Sequence, residues 1–264
     1  MKTNDKQIIK NQINPVLKRL DAPVEVLIID PITLPIAQAL ADIKIHPLVV
    51  TFFAFVFRLI AAYFFVFSFN YLGSLFAFLG FVLDGIDGKI ARIRHIDEEL
   101  HGTIDFLLDQ VAFAILGIAI LIQGILNKQN EIILIMGSWL ALYMIMMAFT
   151  STWHRLISQG HLAYKQGVGE DIFKKGLQSK SNNVIKAVLG FSYNTFILMR
   201  TKLARFRMQP YLGAIESEVV IFMIAPIFNF APIISGLGLL LLIPDIFMVL
   251  TLNLMRVTQK KLIQ

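Results

Sequence analysis

Cysteine is absent from the 264-residue sequence, which excludes disulfides, thiolate metal sites and a thiol nucleophile. Charge is scarce too. Only 16% of residues are charged against 56% hydrophobic, and mean hydropathy is +0.69. A soluble domain carries roughly 25% charged residues, so the deficit points to lipid as the main solvent. The first 45 residues lack a long apolar run, which first begins near Pro47, so no secretory signal is expected there. The net charge of +6 fits basic loops facing an anionic membrane surface better than it fits nucleic acid.

What the chain does have is long apolar segments. A span needs about 20 apolar residues, and six candidates follow one another: 47–69, 71–94, 101–126, 131–157, about 214–230 and 231–255, the fifth interrupted by Pro226. The expected fold is all-α: a polytopic membrane protein of six transmembrane helices with an amphipathic juxtamembrane helix before them. Residues 1–45 form the cytoplasmic juxtamembrane part and 46–264 the transmembrane domain, which includes a polar, then basic, cytoplasmic stretch over 158–213. Ile8, Ile9, Ile13, Val16, Leu17 and Leu20 recur at helical spacing among lysines, predicting a surface-lying helix, and residues 30–41 predict a second. With both termini inside, lysine and arginine crowd the cytoplasmic segments, and the opposite side shows only Lys128. The termini and any site at the cytoplasmic helix ends are therefore expected on that side. Membrane lipids are the expected surroundings, and a homodimer is left open.

Two of these segments contain what a span ordinarily excludes. Asp84 and Asp87 lie three apart near the end of the second, and Asp105 and Asp109 four apart near the start of the third, so each pair shares a helical face. All four fall within ~6–15 Å of the cytoplasmic helix ends at 1.5 Å per residue. An ionised carboxylate at membrane depth is costly unless compensated. Four converging ones call for protons or for cations between them. Hard oxygen ligands in this number suit Mg²⁺ or Mn²⁺, and two ions can share them. Zinc is disfavoured with no cysteine and only His95 and His101 close by. Gly85 and Gly88 remove side chains beside the acids, which predicts close approach of a phosphate, and Arg92 one turn on can fork onto phosphate oxygens.

The run Asp84-x2-Asp87-Gly88-x2-Ala91-Arg92, followed at the right spacing by Asp105 and Asp109, resembles the signature of the CDP-alcohol phosphatidyltransferase family. The resemblance implies that an acceptor hydroxyl attacks the β-phosphorus of a CDP-linked alcohol, such as CDP-diacylglycerol, and releases CMP in phospholipid biosynthesis. It implies metal binding by Asp84, Asp87, Asp105 and Asp109, with Asp109 also taking the acceptor's proton. Gly88 and Arg92 would contact the donor. It makes 46–264 the catalytic domain. Three positions depart from the pattern: His101 stands where the family has a glycine, although Gly102 follows at once, Glu98 replaces a Ser or Thr, and Leu48 replaces an Asn. All three bear on donor recognition and none on the acids.

Other polar residues carry separate expectations. Arg58 and Asp245 lie at similar depth in the first and sixth segments and are expected to form a structural ion pair, with Asp84, at nearly the same depth on the adjacent segment, the competing partner that would place Arg58 in the active site. Glu216 and Glu218 open the fifth segment and are expected at the interface, as are His95, His101 and His154. Arg200, Lys202, Arg205 and Arg207 form a basic cluster expected to face lipid headgroups. Arg205, Arg207 and Glu218 are also the candidates for contact with the acceptor. Competing readings of the acids are a Mg²⁺-dependent membrane prenyltransferase, a transporter, and an inactive relative of the transferases.

Overall fold

The computed structural model describes residues 16–18, 20–96, 98–158 and 202–263, with side chains over 16–18, 20–96, 100–150 and 202–247. The surface helix expected from Ile8 to Leu20 falls mostly outside these residues, as does most of the 158–213 stretch.

Every regular element among the described residues is helical. A π turn, Glu25–Ile29, leads into α1, Asp30–Asp42, where the sequence predicts its second juxtamembrane helix. Helix α2 spans Pro47–Val66, with Pro47 in the first turn, where its missing N–H costs nothing, and with the His46 ring accepting the Leu48 N–H at 3.3 Å. Helix α3, Asn70–Arg94, ends on His95 in the left-handed conformation at φ 49°. Helices α4, Glu98–Leu126, and α5, Asn130–Ser158, follow. Among the described residues, three helices have the length and apolar composition to cross a membrane: Pro47–Val66, Leu100–Leu126 and Asn130–Thr150. The protein is an integral membrane protein.

The fifth expected segment is not one regular helix. It starts as α6, Ala214–Glu218, loosens into a π turn at Val219–Ile224 and tightens into a 3₁₀ turn at Ala225–Phe228, around Pro226. Proline supplies no N–H and interrupts the ladder. The last described helix, α7, is Pro232–Ile263, and it covers the sixth expected segment, 231–255.

Backbone irregularity inside a bundle must be satisfied by neighbours. Ser74 of α3 donates to the Met223 carbonyl within the π turn. Ser217 donates to the Gly238 carbonyl at 2.6 Å and accepts from Trp139 Nε1 at 2.8 Å, tying α5, α6 and α7. Around this knot Trp139 stacks on Tyr143 with centroids 4.7 Å apart and meets Phe222 edge-on at 5.0 Å. Helix α2 packs on α3 and α4, while α7 packs on α5 and the α6 segment. Phe52, Phe53, Tyr63 and Phe67 point outward, as helices solvated by lipid tails require.

Helix α1 is anchored by charge. Asp30, buried at 6% exposure, takes Lys89 of α3 at 2.9 Å on one oxygen and Arg207 at 2.8 Å on the other. Arg207 also donates to the Lys18 carbonyl at 2.9 Å, and the backbone pairs Asp21 with Arg207 and Gln209. Arg207 is thus an internal clamp, which corrects the expectation that it faces lipid headgroups; Arg205 is exposed. Burial works to raise the Asp30 pKa, but the Lys89 and Arg207 contacts outweigh it and hold it below the usual carboxylate value. Its stabilisation is present above the ordinary Asp pKa and is lost as pH falls through the lowered one.

Glu25 behaves oppositely. Burial first, then the Asp21 and Asp84 charges, push its pKa to about 7 against the opposing pull of Lys89 and Lys18. The fold therefore favours neutral Glu25. Stability should decline as pH rises from the ordinary Glu value through about 7. Glu25→Gln should accordingly raise the thermal midpoint in detergent at pH 8 and leave it nearly unchanged at pH 5. Equal midpoints at pH 8 would show that Glu25 carries no such penalty.

Candidate active site

The acids meet where the end of α3 faces the start of α4. Asp84, Asp105 and Asp109 each bring one oxygen within 4.8 Å of the others, a cluster able to hold a metal ion. Asp87, at 1% exposure, lies three residues along α3 and outside that triad, with its Oδ1 3.9 Å from His101 Nε2. Both Asp87 oxygens, Asp84 Oδ1 and Asp105 Oδ1 are buried without a hydrogen-bond partner among the described residues. Buried oxygens are normally partnered. Three carboxylates so under-satisfied, with Asp109 a fourth beside one arginine, fit a hard divalent cation in donor type and in charge.

That arginine is Arg58, and its partner corrects the expectation from depth alone. Its Nη1 binds Asp109 Oδ1, and its Nη2 lies 3.4 Å from Asp84 Oδ1. Asp245 instead accepts the Ala214 N–H at 2.5 Å. Equal depth did not make neighbours, because α2 packs against α3 and α4 whereas α7 packs on the far group of helices. The Arg58 stem fits beside Gly80, where a Cβ would fall 2.9 Å from its Cγ, and the guanidinium carbon lies 4.9 Å from the Phe113 ring centroid.

The two motif glycines do different work. A Cβ at Gly85 would meet Ile29 Cγ2 at 2.8 Å, so Gly85 lets α1 close on α3; the expected room for phosphate is not there. A Cβ at Gly88 would meet only the Arg92 guanidinium, at 3.4 Å. Arg92 Nε donates to the Val16 carbonyl at 2.5 Å.

His101 is not interfacial. It is 5% exposed, and neither ring nitrogen has a hydrogen-bond partner among the described residues. Helix α4 runs unbroken from Glu98, so His101, and not Gly102, stands one turn before Asp105, and the space around Gly102 is open. Glu216 and Glu218 are likewise buried rather than interfacial, at 7% and 6% exposure. Glu216 caps α6 by accepting the Gly213 N–H at 2.8 Å, and it accepts the Val24 N–H at 3.3 Å. Glu218 faces Tyr143 and lies within electrostatic reach of Arg58 and Asp84. Of the three candidate acceptor residues, Glu218 thus borders the acidic cluster, Arg207 binds Asp30, and Arg205 is exposed. The side chains of His154 and Glu98 lie outside those described.

Sequence reasoning passed over Asp30 and Lys89. Their signal was present as a charge at each end of a contact between apolar faces, but a lysine inside an acidic motif gives no indication of which acid it serves.

Compared with families of known proteins, the chain matches the CDP-alcohol phosphatidyltransferases over residues 44–257, from the start of α2 into α7. No curated individual protein matches it. The matched span contains both helices of the acidic cluster and the helix that supplies Arg58, and its extent settles the assignment: the chain belongs to the CDP-alcohol phosphatidyltransferase family.

Proposed function

We propose that this protein transfers a phosphoalcohol group from a CDP-alcohol, with CDP-diacylglycerol the first donor to test, to a hydroxyl acceptor, releasing CMP in membrane phospholipid synthesis. The observation that carries this reading is the convergence of Asp84, Asp105 and Asp109 within a chain of this family. Two divalent ions, Mg²⁺ or Mn²⁺, held by Asp84, Asp87, Asp105 and Asp109 would neutralise the pyrophosphate and the departing CMP.

The chain's own groups do the rest. Gly88 leaves space beside the Arg92 guanidinium, which suits a phosphate bound by charge-assisted hydrogen bonds. Asp109 takes the proton from the acceptor hydroxyl as its oxygen bonds to the β-phosphorus and the bond to CMP breaks. Arg205, Arg207 and Glu218 are the proposed contacts for the acceptor, Glu218 from beside the cluster and the arginines from the basic segment before α6. The reading includes six spans, with both termini and the active site on the cytoplasmic side, as the lysine and arginine distribution favours.

Purified protein should release CMP from CDP-diacylglycerol when offered glycerol phosphate, inositol phosphate, inositol or serine as acceptor. EDTA should abolish release, and Mg²⁺ or Mn²⁺ should restore it. Full turnover in metal-free buffer would refute the metal-assisted mechanism. Asp109→Asn should lower kcat by about 10²–10⁴-fold, the usual worth of a positioned base, with a smaller effect on the donor KM. Near wild-type kcat in that variant would remove Asp109 as the base.

A further inference from the structure

Arg58 is the one residue of the cluster that the transfer reading leaves without a role. It is 2% exposed and lies in a fitted slot. Gly80 gives room to its stem, Phe113 covers its guanidinium, and the backbone of Ala54 closes the other side, 3.1 Å from where a Gly80 Cβ would stand. From α2 it reaches two carboxylates on two other helices, Asp84 of α3 and Asp109 of α4.

An arginine in a protein is always charged, so its positive charge is present whether or not a metal is bound. That charge acts on the same two acids that a divalent ion would use. It lowers the negative charge of the cluster by one unit and must weaken metal binding. A site built for metal affinity alone would omit it. What the guanidinium adds is geometry: a planar fork binds one Asp109 oxygen through Nη1 and holds Nη2 3.4 Å from one Asp84 oxygen.

We propose that Arg58 is a positioning residue, a fixed internal cation that holds Asp109 for proton transfer, with Asp84 beside it, at the expense of metal affinity. The proposal rests on the transfer reading above for the role of Asp109. It requires two effects of opposite sign, which a purely structural ion pair would not produce.

The experiment measures Mn²⁺ binding, by the loss of the free-ion signal in electron paramagnetic resonance, alongside CMP release, on full-length protein in detergent. Arg58→Met should bind Mn²⁺ about tenfold more tightly, while kcat falls about 10²-fold, the scale of a 1 Å misplacement of a reacting group. Arg58→Lys keeps the charge and loses the fork. It should return Mn²⁺ affinity to within about twofold of wild type and leave kcat low. Gly80→Ala displaces the guanidinium without changing any charge, and it should lower kcat with Mn²⁺ affinity nearly unchanged.

Weaker or unchanged Mn²⁺ binding in Arg58→Met overturns the proposal, as does wild-type kcat in any of the three variants. If Arg58→Met fails to remain monodisperse, Arg58→Lys and Gly80→Ala decide the matter by kcat with Mn²⁺ affinity retained. A wild type that binds no Mn²⁺ overturns both readings. A wild type that binds Mn²⁺ but releases no CMP overturns the transfer reaction alone, and the order of Mn²⁺ affinities then still decides for or against the internal cation.

Discussion

Carboxylates in the interior of a membrane bundle are the constraint from which the rest of this structure follows. Each acid at that depth must be compensated, and compensation has to come from elements that pack on the same helices. Two cations stand close to the cluster, and only one serves it. Arg58 rises from α2 and binds Asp84 and Asp109. Lys89, on the helix that carries Asp84 and Asp87, is drawn away to Asp30 of α1. Both Asp87 oxygens, Asp84 Oδ1 and Asp105 Oδ1 have no hydrogen-bond partner among the described residues, and the cluster has the chemistry of a divalent-cation site.

The division of labour among the cations explains the role of α1. If Lys89 were free to turn toward Asp84 and Asp87, it would neutralise acids proposed above to hold the metal. Asp30 holds the Lys89 ammonium at 2.9 Å, and the Lys89 Nζ also donates to the Gly85 carbonyl at 2.9 Å. Gly85 allows Ile29 to sit against α3, which brings Asp30 within reach. Arg207 completes the hub from the segment preceding α6. Two stretches far apart in sequence are thereby fixed beside the acidic helix, without contributing to the acidic cluster themselves.

The tension in such a site lies between stability and chemistry. Replacing a buried ion pair with apolar residues is often neutral or stabilising, so the Arg58 contacts are poorly explained by stability. The slot that receives Arg58 is tight on two sides, as it should be if the position of the charge matters more than its presence. The family match removes the grounds for reading the acids as a transporter's ion path or a prenyltransferase's diphosphate site, and it makes the local geometry interpretable as transferase chemistry.

The sequence by itself determined the membrane character, the helical class and the acidic motif, because these depend on composition and on spacing along one or two helices. Asp105 and Asp109 share a face wherever α4 lies, and an apolar run of some 20 residues seeks lipid in any fold. Only the tertiary structure decided which charges meet. Arg58 and Asp245 matched in depth, yet helix order gave Arg58 to Asp84 and Asp109 and gave Asp245 to the Ala214 backbone. The same holds for Gly85, which packs a helix where phosphate was expected, and for His101 and Glu218, which are buried where an interface was expected. Depth and periodicity fix two coordinates of a side chain in a bundle. The third, which neighbour it faces, is set by how the helices pack around one another, and no single segment carries that information.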